Sequence, residues 1–140
     1  MQDHPLWGSR IDADLPATQR WYQQSPHWSC DCGHCRNFLN LARKRALPSP
    51  ILETLSQLGI PPEKATYVCQ IYPDGENYLY QFSYRVVGTI RQDGPAVSQD
   101  WGEGRCCHEP YPHGAPDFPQ PHFDLEFWAT LPQTEEDFYG

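Results

Sequence analysis

The chain is organised around the stretch Trp28-Ser-Cys30-Asp-Cys32-Gly-His-Cys35-Arg36-Asn37-Phe38, which places three cysteines at the spacing C-x-C-x-x-C. A second group, Cys106-Cys107-His108, follows in the last third of the chain. Structural zinc sites take four Cys or His ligands in a tetrahedron. The first group can supply three of them from one tight turn. We therefore expect the two groups to meet on one structural zinc ion.

The fourth zinc ligand has several candidates. They are Cys106, Cys107, His108 and the local His34. A ligand from the second group would tie the Gly- and Pro-rich connection 92–121 to the first helix, and a loop of that length needs something to hold it. The metal ligands that we predict are Cys30, Cys32, Cys35, Cys106 and Cys107.

Other fates for these cysteines stay open at this point. They could be thiols without a metal, they could form a disulfide between the two groups, or the adjacent pair Cys106-Cys107 could be a redox element. Four thiolates could also hold an iron–sulfur cluster. A catalytic zinc keeps one position open for water, and a thiolate-rich ligand set makes the metal a poor Lewis acid. The pattern therefore favours a structural zinc over a catalytic one.

Two amphipathic helices follow the cysteine stretch. The spacing of apolar residues predicts the first over Cys35–Leu47, with the third cysteine on its core side. The run Pro48-Ser49-Pro50 ends that helix and begins the next, because Ser49 is a good N-cap and proline fits the first helical position. Gly59 is placed to end the second helix in a left-handed cap.

From Ala65 the apolar period changes to two, which predicts strands. The turn signal Pro73-Asp74-Gly75 separates the first strand from a second over Tyr78–Ile90. Thirteen residues is long for one strand, so we expect a break near Phe82. A last strand is predicted over Phe123–Leu131. The sum is an α+β domain, in which two helices pack on a three- to four-stranded, mostly antiparallel sheet and zinc clips the long loop.

Length and composition divide the chain into three parts. A chain of 140 residues fits one domain. Residues 1–27 show no sustained period, so we expect an extended N-terminal arm. The single zinc-stabilised domain covers 28–132, and 133–140 form an acidic tail. No apolar run approaches the length of a membrane span, and the N-terminus lacks the basic and then apolar regions typical of a signal peptide, so we expect neither. We therefore expect a cytoplasmic protein with reduced thiols and no membrane partner.

The charge is uneven along the chain. Residues 1–91 contain nine Lys or Arg and eight Asp or Glu, whereas residues 92–140 contain one basic residue and ten acidic ones. The net charge of -8 therefore resides in the last third. This argues against nucleic acid as the main partner, because phosphate binding needs a cationic surface. It permits a basic protein partner, for which we predict the contact residues Asp117, Asp124 and Glu126.

The cysteine stretch, read together with Leu58-Gly59-Ile60-Pro-Pro-Glu-Lys64-Ala65, resembles a group of small uncharacterised bacterial proteins of the low-GC Gram-positive type. The resemblance covers roughly residues 22–132. It implies a small bacterial protein with cysteines and brings no assigned activity. Many members lack the element Cys106-Cys107-His108. Small acidic proteins of this kind are often immunity proteins or phage-encoded inhibitors, an analogy of size and charge.

These observations lead to three hypotheses. The first is a small acidic zinc-binding protein that acts by protein–protein binding, such as an immunity protein or phage-type inhibitor of a basic or nucleic-acid-handling partner. The second is a small zinc- or thiol-dependent enzyme, although no nucleotide or catalytic motif is present. The third is nucleic-acid binding through the tryptophans and the basic face of the first helix, which contains Arg36, Arg43 and Lys44.

Overall fold

The computed structural model describes residues 2–26, 32–108, 115 and 117–133, with the backbone alone at residues 2–4. Three helices and seven strands lie within these residues. In chain order they are β1 Gln2–Leu6, β2 Ser9–Ala13, α1 Leu15–Gln24, α2 Gly33–Arg43, α3 Ser49–Leu58, β3 Tyr67–Asp74, β4 Asn77–Gln92, β5 Val97–Gln99, β6 Gly102–Cys107 and β7 His122–Pro132. A 3-10 turn, Pro62–Lys64, joins α3 to β3.

The strands form one antiparallel sheet with the order β1-β2-β4-β7-β6-β5. It curls into a half-barrel. The central strand β4 is 16 residues long. One edge of β4 pairs with β7, and the other edge pairs first with β3 and then with β2. None of the three described helices has the length and apolar character needed to cross a membrane.

The predicted architecture of two helices on a three- to four-stranded sheet is wrong. The additional strands come from two segments without apolar alternation. Residues 1–27, expected as an extended arm, instead contribute β1, β2 and α1. The connection 92–121, expected as loop, contains the short strands β5 and β6. Strands this short are formed by their neighbours in the sheet, and the pattern of their own residues does not reveal them.

Several local predictions are confirmed. Helices occur at both predicted places, and Gly59 ends α3 with a φ of 74° in the left-handed region. Pro48 occupies the N-cap position expected of Ser49, which is the first helical residue. The expected break near Phe82 is absent, because β4 is continuous and the irregularity lies in its partner β3. The acidic tail falls outside the described residues beyond residue 133.

The apolar core lies against one face of the sheet, which we call the inner face. Alternate residues of the two longest strands are buried there. They are Tyr80, Phe82, Tyr84 and Val86 of β4 and Phe123, Leu125, Phe127, Ala129 and Leu131 of β7. The helices cover this face. Phe38 of α2 places its ring centroid 4.9 Å from that of Phe82, and Tyr84 donates a hydrogen bond to the Pro62 carbonyl (2.7 Å).

The opposite face of β4 and β7, which we call the outer face, is polar and also buried. Arg85 donates from Nε to Asp124 Oδ1 at 3.2 Å, and the two side chains are 3% and 1% exposed. Arg85 also donates to the Ala115 carbonyl. Glu126, 1% exposed, accepts hydrogen bonds from Gln81, Arg105 and Trp128. The central part of the sheet is thus covered on both faces.

Candidate functional site

The first cysteine group forms the start of α2. Cys32 is the N-cap residue, with extended backbone angles (φ -68°, ψ 158°). Its Sγ accepts the backbone N–H of Cys35 at 3.4 Å, and its carbonyl accepts the N–H of Arg36 at 3.0 Å. The thiol of Cys32 therefore takes the place of the Ser, Asp or Asn side chain that usually caps a helix.

Cys32 and Cys35 share the first turn of α2 but differ in access to solvent. Cys32 is exposed, whereas Cys35 is 7% exposed. Neither is in a disulfide. The N-terminal end of a helix carries a partial positive charge, which stabilises negative charge on sulfur. The turn therefore presents one accessible and one shielded sulfur at a site suited to thiolate chemistry or to metal ligation.

The cysteine turn is held against the sheet by a small hydrogen-bond network. The Tyr80 hydroxyl donates to the His34 carbonyl at 2.9 Å, and the fully buried Asn37 donates through Nδ2 to the Pro132 carbonyl at 3.0 Å and to the Tyr80 hydroxyl at 3.3 Å. The His34 ring packs edge-on against Tyr78, with centroids 4.9 Å apart. These contacts fix the turn at the end of β7.

Burial raises the pKa of Tyr80 to about 12, and the nearby Cys35 and Cys32 add to the shift. The phenol therefore stays protonated at neutral pH and keeps donating to the His34 carbonyl. Asn37 therefore braces the turn from within α2, and the next residue, Phe38, packs in the core.

The second cysteine group cannot act as a pair of ligands to one ion. Successive side chains of a strand point to opposite faces. Cys106 lies on the inner face, where it is buried and its thiol donates to the Leu6 carbonyl at 3.4 Å. Burial, with a smaller contribution from Asp93, raises its pKa to about 12. Cys107 lies on the outer face, opposite Asp124.

The two cysteine groups lie near opposite ends of β7. Cys106 pairs with Leu125, whereas the turn before α2 contacts Pro132 through Asn37. These two positions of β7 lie seven residues apart, or about 23 Å between their Cα atoms. This separation argues against the predicted zinc clip through the long loop, which stays a prediction that no metal-ligand cluster among the described residues supports. Pairing of the β5–β6 hairpin with β7 holds that segment instead.

No three metal-ligating side chains come together among the residues that the structure describes. Cys30 lies outside those residues. His108 is exposed and follows β6 directly, so it belongs with the second group. Zinc binding by the first group stays a prediction, now confined to the turn itself.

The residues predicted to contact a partner divide in two. Asp117 is exposed, whereas Asp124 and Glu126 are each 1% exposed and paired on the outer face. These two carboxylates are internal partners of Arg85 and Arg105, so they do not offer a surface to another protein. Arg85, the buried partner of Asp124, is absent from the residues predicted from the sequence. The pairing of β4 with β7 places Arg85 opposite Asp124, and only knowledge of this pairing identifies Arg85 as the partner of that carboxylate.

Comparison with known proteins adds no relative to this picture. No protein family, curated protein or solved structure matches the chain. The resemblance based on the cysteine stretch therefore stays a prediction, and the site is interpreted from its own residues.

Proposed function

We propose that this chain is a small acidic zinc-binding protein that acts by protein–protein binding. One observation carries the zinc part of the proposal. Cys32 Sγ accepts a backbone N–H from Cys35 at the start of a helix, so two thiols lie on one turn. A third cysteine, Cys30, lies two residues before Cys32 in the sequence. Hydrogen bonds to the ligating side chains, and to the groups next to them, orient the ligands of a metal ion.

The donor set fits zinc. Cys30, Cys32 and Cys35 would hold the ion, and sulfur from cysteine is a preferred ligand of structural zinc. His34 is the local candidate for the fourth position. When bound, the metal would supply a cross-link that stabilises the turn before α2, and binding would add to the free energy of unfolding. Tyr80 and Asn37 brace the same turn from the sheet side.

The partner-binding part of the proposal rests on exposed carboxylates. With Asp124 and Glu126 buried, the exposed acidic residues of the described C-terminal third are Asp93, Asp100 and Asp117. Charge of this sign favours a basic protein surface and speeds its association at low salt. The partner we propose is therefore a basic protein.

Native mass spectrometry of the reduced protein, with and without chelator, tests the zinc site. We expect one zinc on the unmodified chain and none on Cys32→Ser or Cys35→Ser. The matched control, Cys107→Ser, should keep its zinc because that thiol lies at the far end of β7. An unmodified chain without metal, or loss of zinc from the control alone, would refute the local site.

Charge reversal tests the acidic surface separately. The triple variant Asp93→Lys, Asp100→Lys and Asp117→Lys should bind a lysine- and arginine-rich peptide more weakly and with less salt dependence than the unmodified chain. Reversal of Asp74 and Glu76, in the exposed turn between β3 and β4, is the control. An equal loss in the control would place the binding surface elsewhere.

A further inference from the structure

We infer that Cys32 and Cys35 form a dithiol–disulfide couple, in which Cys32 attacks a substrate disulfide and Cys35 resolves the mixed disulfide. The inference uses the same turn as the proposed zinc site but requires no metal. It adds a redox activity to a site that the proposed function treats as structural.

The geometry of the turn suits a disulfide. The N–H of Arg36 bonds to the Cys32 carbonyl, so the backbone makes a regular helical turn from the first cysteine onward. The Cα atoms of residues three apart in a helical turn lie about 5 Å from one another, within the range of about 4.4–6.8 Å that disulfides span between Cα atoms. Cys32 Sγ already lies 3.4 Å from the backbone nitrogen of Cys35. The bond can therefore form with little movement of the backbone.

The difference in exposure assigns the two roles. A disulfide from outside can reach the sulfur of Cys32, which is exposed, and cannot reach that of Cys35, which is 7% exposed. Attack on a disulfide requires access to the attacking sulfur. Cys35 needs to reach only the sulfur of Cys32 on the same turn. The exposed cysteine is thus the attacking group and the shielded one the resolving group.

The exchange balances with a substrate disulfide, R–S–S–R, as the oxidant. The Cys32 thiolate attacks one substrate sulfur, the S–S bond breaks, and the first RS⁻ leaves. The Cys35 sulfur, giving up its proton, then attacks Cys32 Sγ and displaces the second RS⁻. Two cysteine thiols are oxidised, one substrate disulfide is reduced to two RSH, and the two cysteine protons end on the products.

The other described cysteines are poorly placed to substitute for this pair. Cys106 is buried and bonded to the Leu6 carbonyl, and its neighbour Cys107 points to the opposite face of the sheet. Cys69 lies on β3, half-buried. The Tyr80 hydroxyl donates a hydrogen bond to the carbonyl of His34, which lies between the two cysteines in the sequence. This contact keeps the turn in place while the sulfur atoms exchange disulfide partners.

Incubation of the chelator-treated, full-length protein with glutathione disulfide, followed by peptide mapping by mass spectrometry, tests the couple. We expect a Cys32–Cys35 disulfide in the unmodified chain. Cys35→Ser should accumulate a glutathione adduct at Cys32, and Cys32→Ser should form neither product. Cys107→Ser is the control and should form the same disulfide as the unmodified chain. Serine and aspartate both cap helices, so Cys32→Asp provides a second folded variant with the same expected loss.

Any of three results would overturn the inference. The first is a disulfide that includes Cys30. The second is an adduct of Cys35→Ser at Cys69 or Cys107, and the third is an unmodified chain that forms no disulfide. The zinc content of the protein distinguishes failure of the redox couple from failure of the proposed zinc site. A chain that binds no zinc but forms the disulfide supports the couple alone, whereas zinc binding without a disulfide in the metal-free chain supports the zinc site alone.

Discussion

The two faces of β4 and β7 are buried to a similar degree but are built from opposite chemistry. The inner face stacks aromatic rings, with Phe127 5.6 Å from Phe82 and 5.2 Å from Trp7 between centroids. The outer face buries the ion pair Arg85–Asp124 and the carboxylate of Glu126. Burial of apolar area stabilises the inner face directly, whereas charged groups lose hydration and need every partner in place. The two faces should therefore respond differently to substitution.

The largest effect is expected on the inner face. Phe127→Ala should lower the free energy of unfolding by about 3–5 kcal/mol, because it removes a fully buried ring and leaves a cavity. Urea unfolding measures the loss. Tyr72→Ala is the control, since Tyr72 is 54% exposed and should change stability by less than about 0.5 kcal/mol. Equal losses in the two variants would contradict the assignment of the inner face as the core.

Removal of one member of the buried ion pair should have the next largest effect. Asp124→Ala leaves Arg85 buried without its carboxylate and should cost about 3 kcal/mol in urea unfolding. The double variant Arg85→Met, Asp124→Leu leaves no unpaired charge, so it should be less destabilised than Asp124→Ala alone. A single variant as stable as the unmodified chain would mean that the outer face is open to water.

A smaller loss is expected at the border of the outer face. Arg105 is half-exposed, and Glu126 keeps hydrogen bonds from Gln81 and Trp128 without it, so Arg105→Ala should cost about 1 kcal/mol. Arg91→Ala removes an exposed ion pair to Asp12 and should cost about 0–0.5 kcal/mol in the same measurement. The reverse order of the two losses would contradict the importance of Glu126 burial.

The smallest effect is a pH dependence from His122, on the outer face near Phe118. Burial lowers the pKa of His122 below its usual 6.5, and the charge of Arg85 adds to the shift. The unfolded chain therefore binds a proton at His122 more readily than the folded chain does. The stability contributed by the neutral His122 is present above about pH 6.5 and is lost as the pH falls below that value. Urea midpoints at pH 7.5 and 5.5 should differ more for the unmodified chain than for His122→Gln, and parallel midpoints would refute the effect.

Features with a local cause could be predicted from the sequence. Gly59, the prolines around Ser49 and the alternation over Phe123–Leu131 act through backbone angles and side-chain direction within a few residues. The first cysteine turn belongs to the same class, because C-x-x-C at the start of a helix is a short-range feature. These parts of the fold and of the candidate site were anticipated.

Features that depend on pairing between distant segments could not be predicted. Asp124 and Glu126 alternate with apolar residues, which is typical of a strand with one face in water, yet both carboxylates are buried, and Arg85 beside them donates to the Ala115 carbonyl. Nothing in the local pattern shows that this face is covered. The separation of the cysteine groups has the same origin, since it follows from the pairing of Cys106 with Leu125, which the sequence does not reveal.

One edge of β4 pairs with β3 along its first half and with β2 along its second half, and these two pairings should form at different times during folding. Its first half pairs with β3 through the turn at Gly75, a local hairpin that closes quickly. Its second half pairs with β2, which joins it across most of the chain, and Gly88 gives β2 room because a Cβ there would lie 2.1 Å from the Asp12 carbonyl oxygen. Long loops close more slowly than short ones. The hairpin of β1 and β2, the first of the described strands to leave the ribosome, must therefore wait for β4 before it has an edge to join.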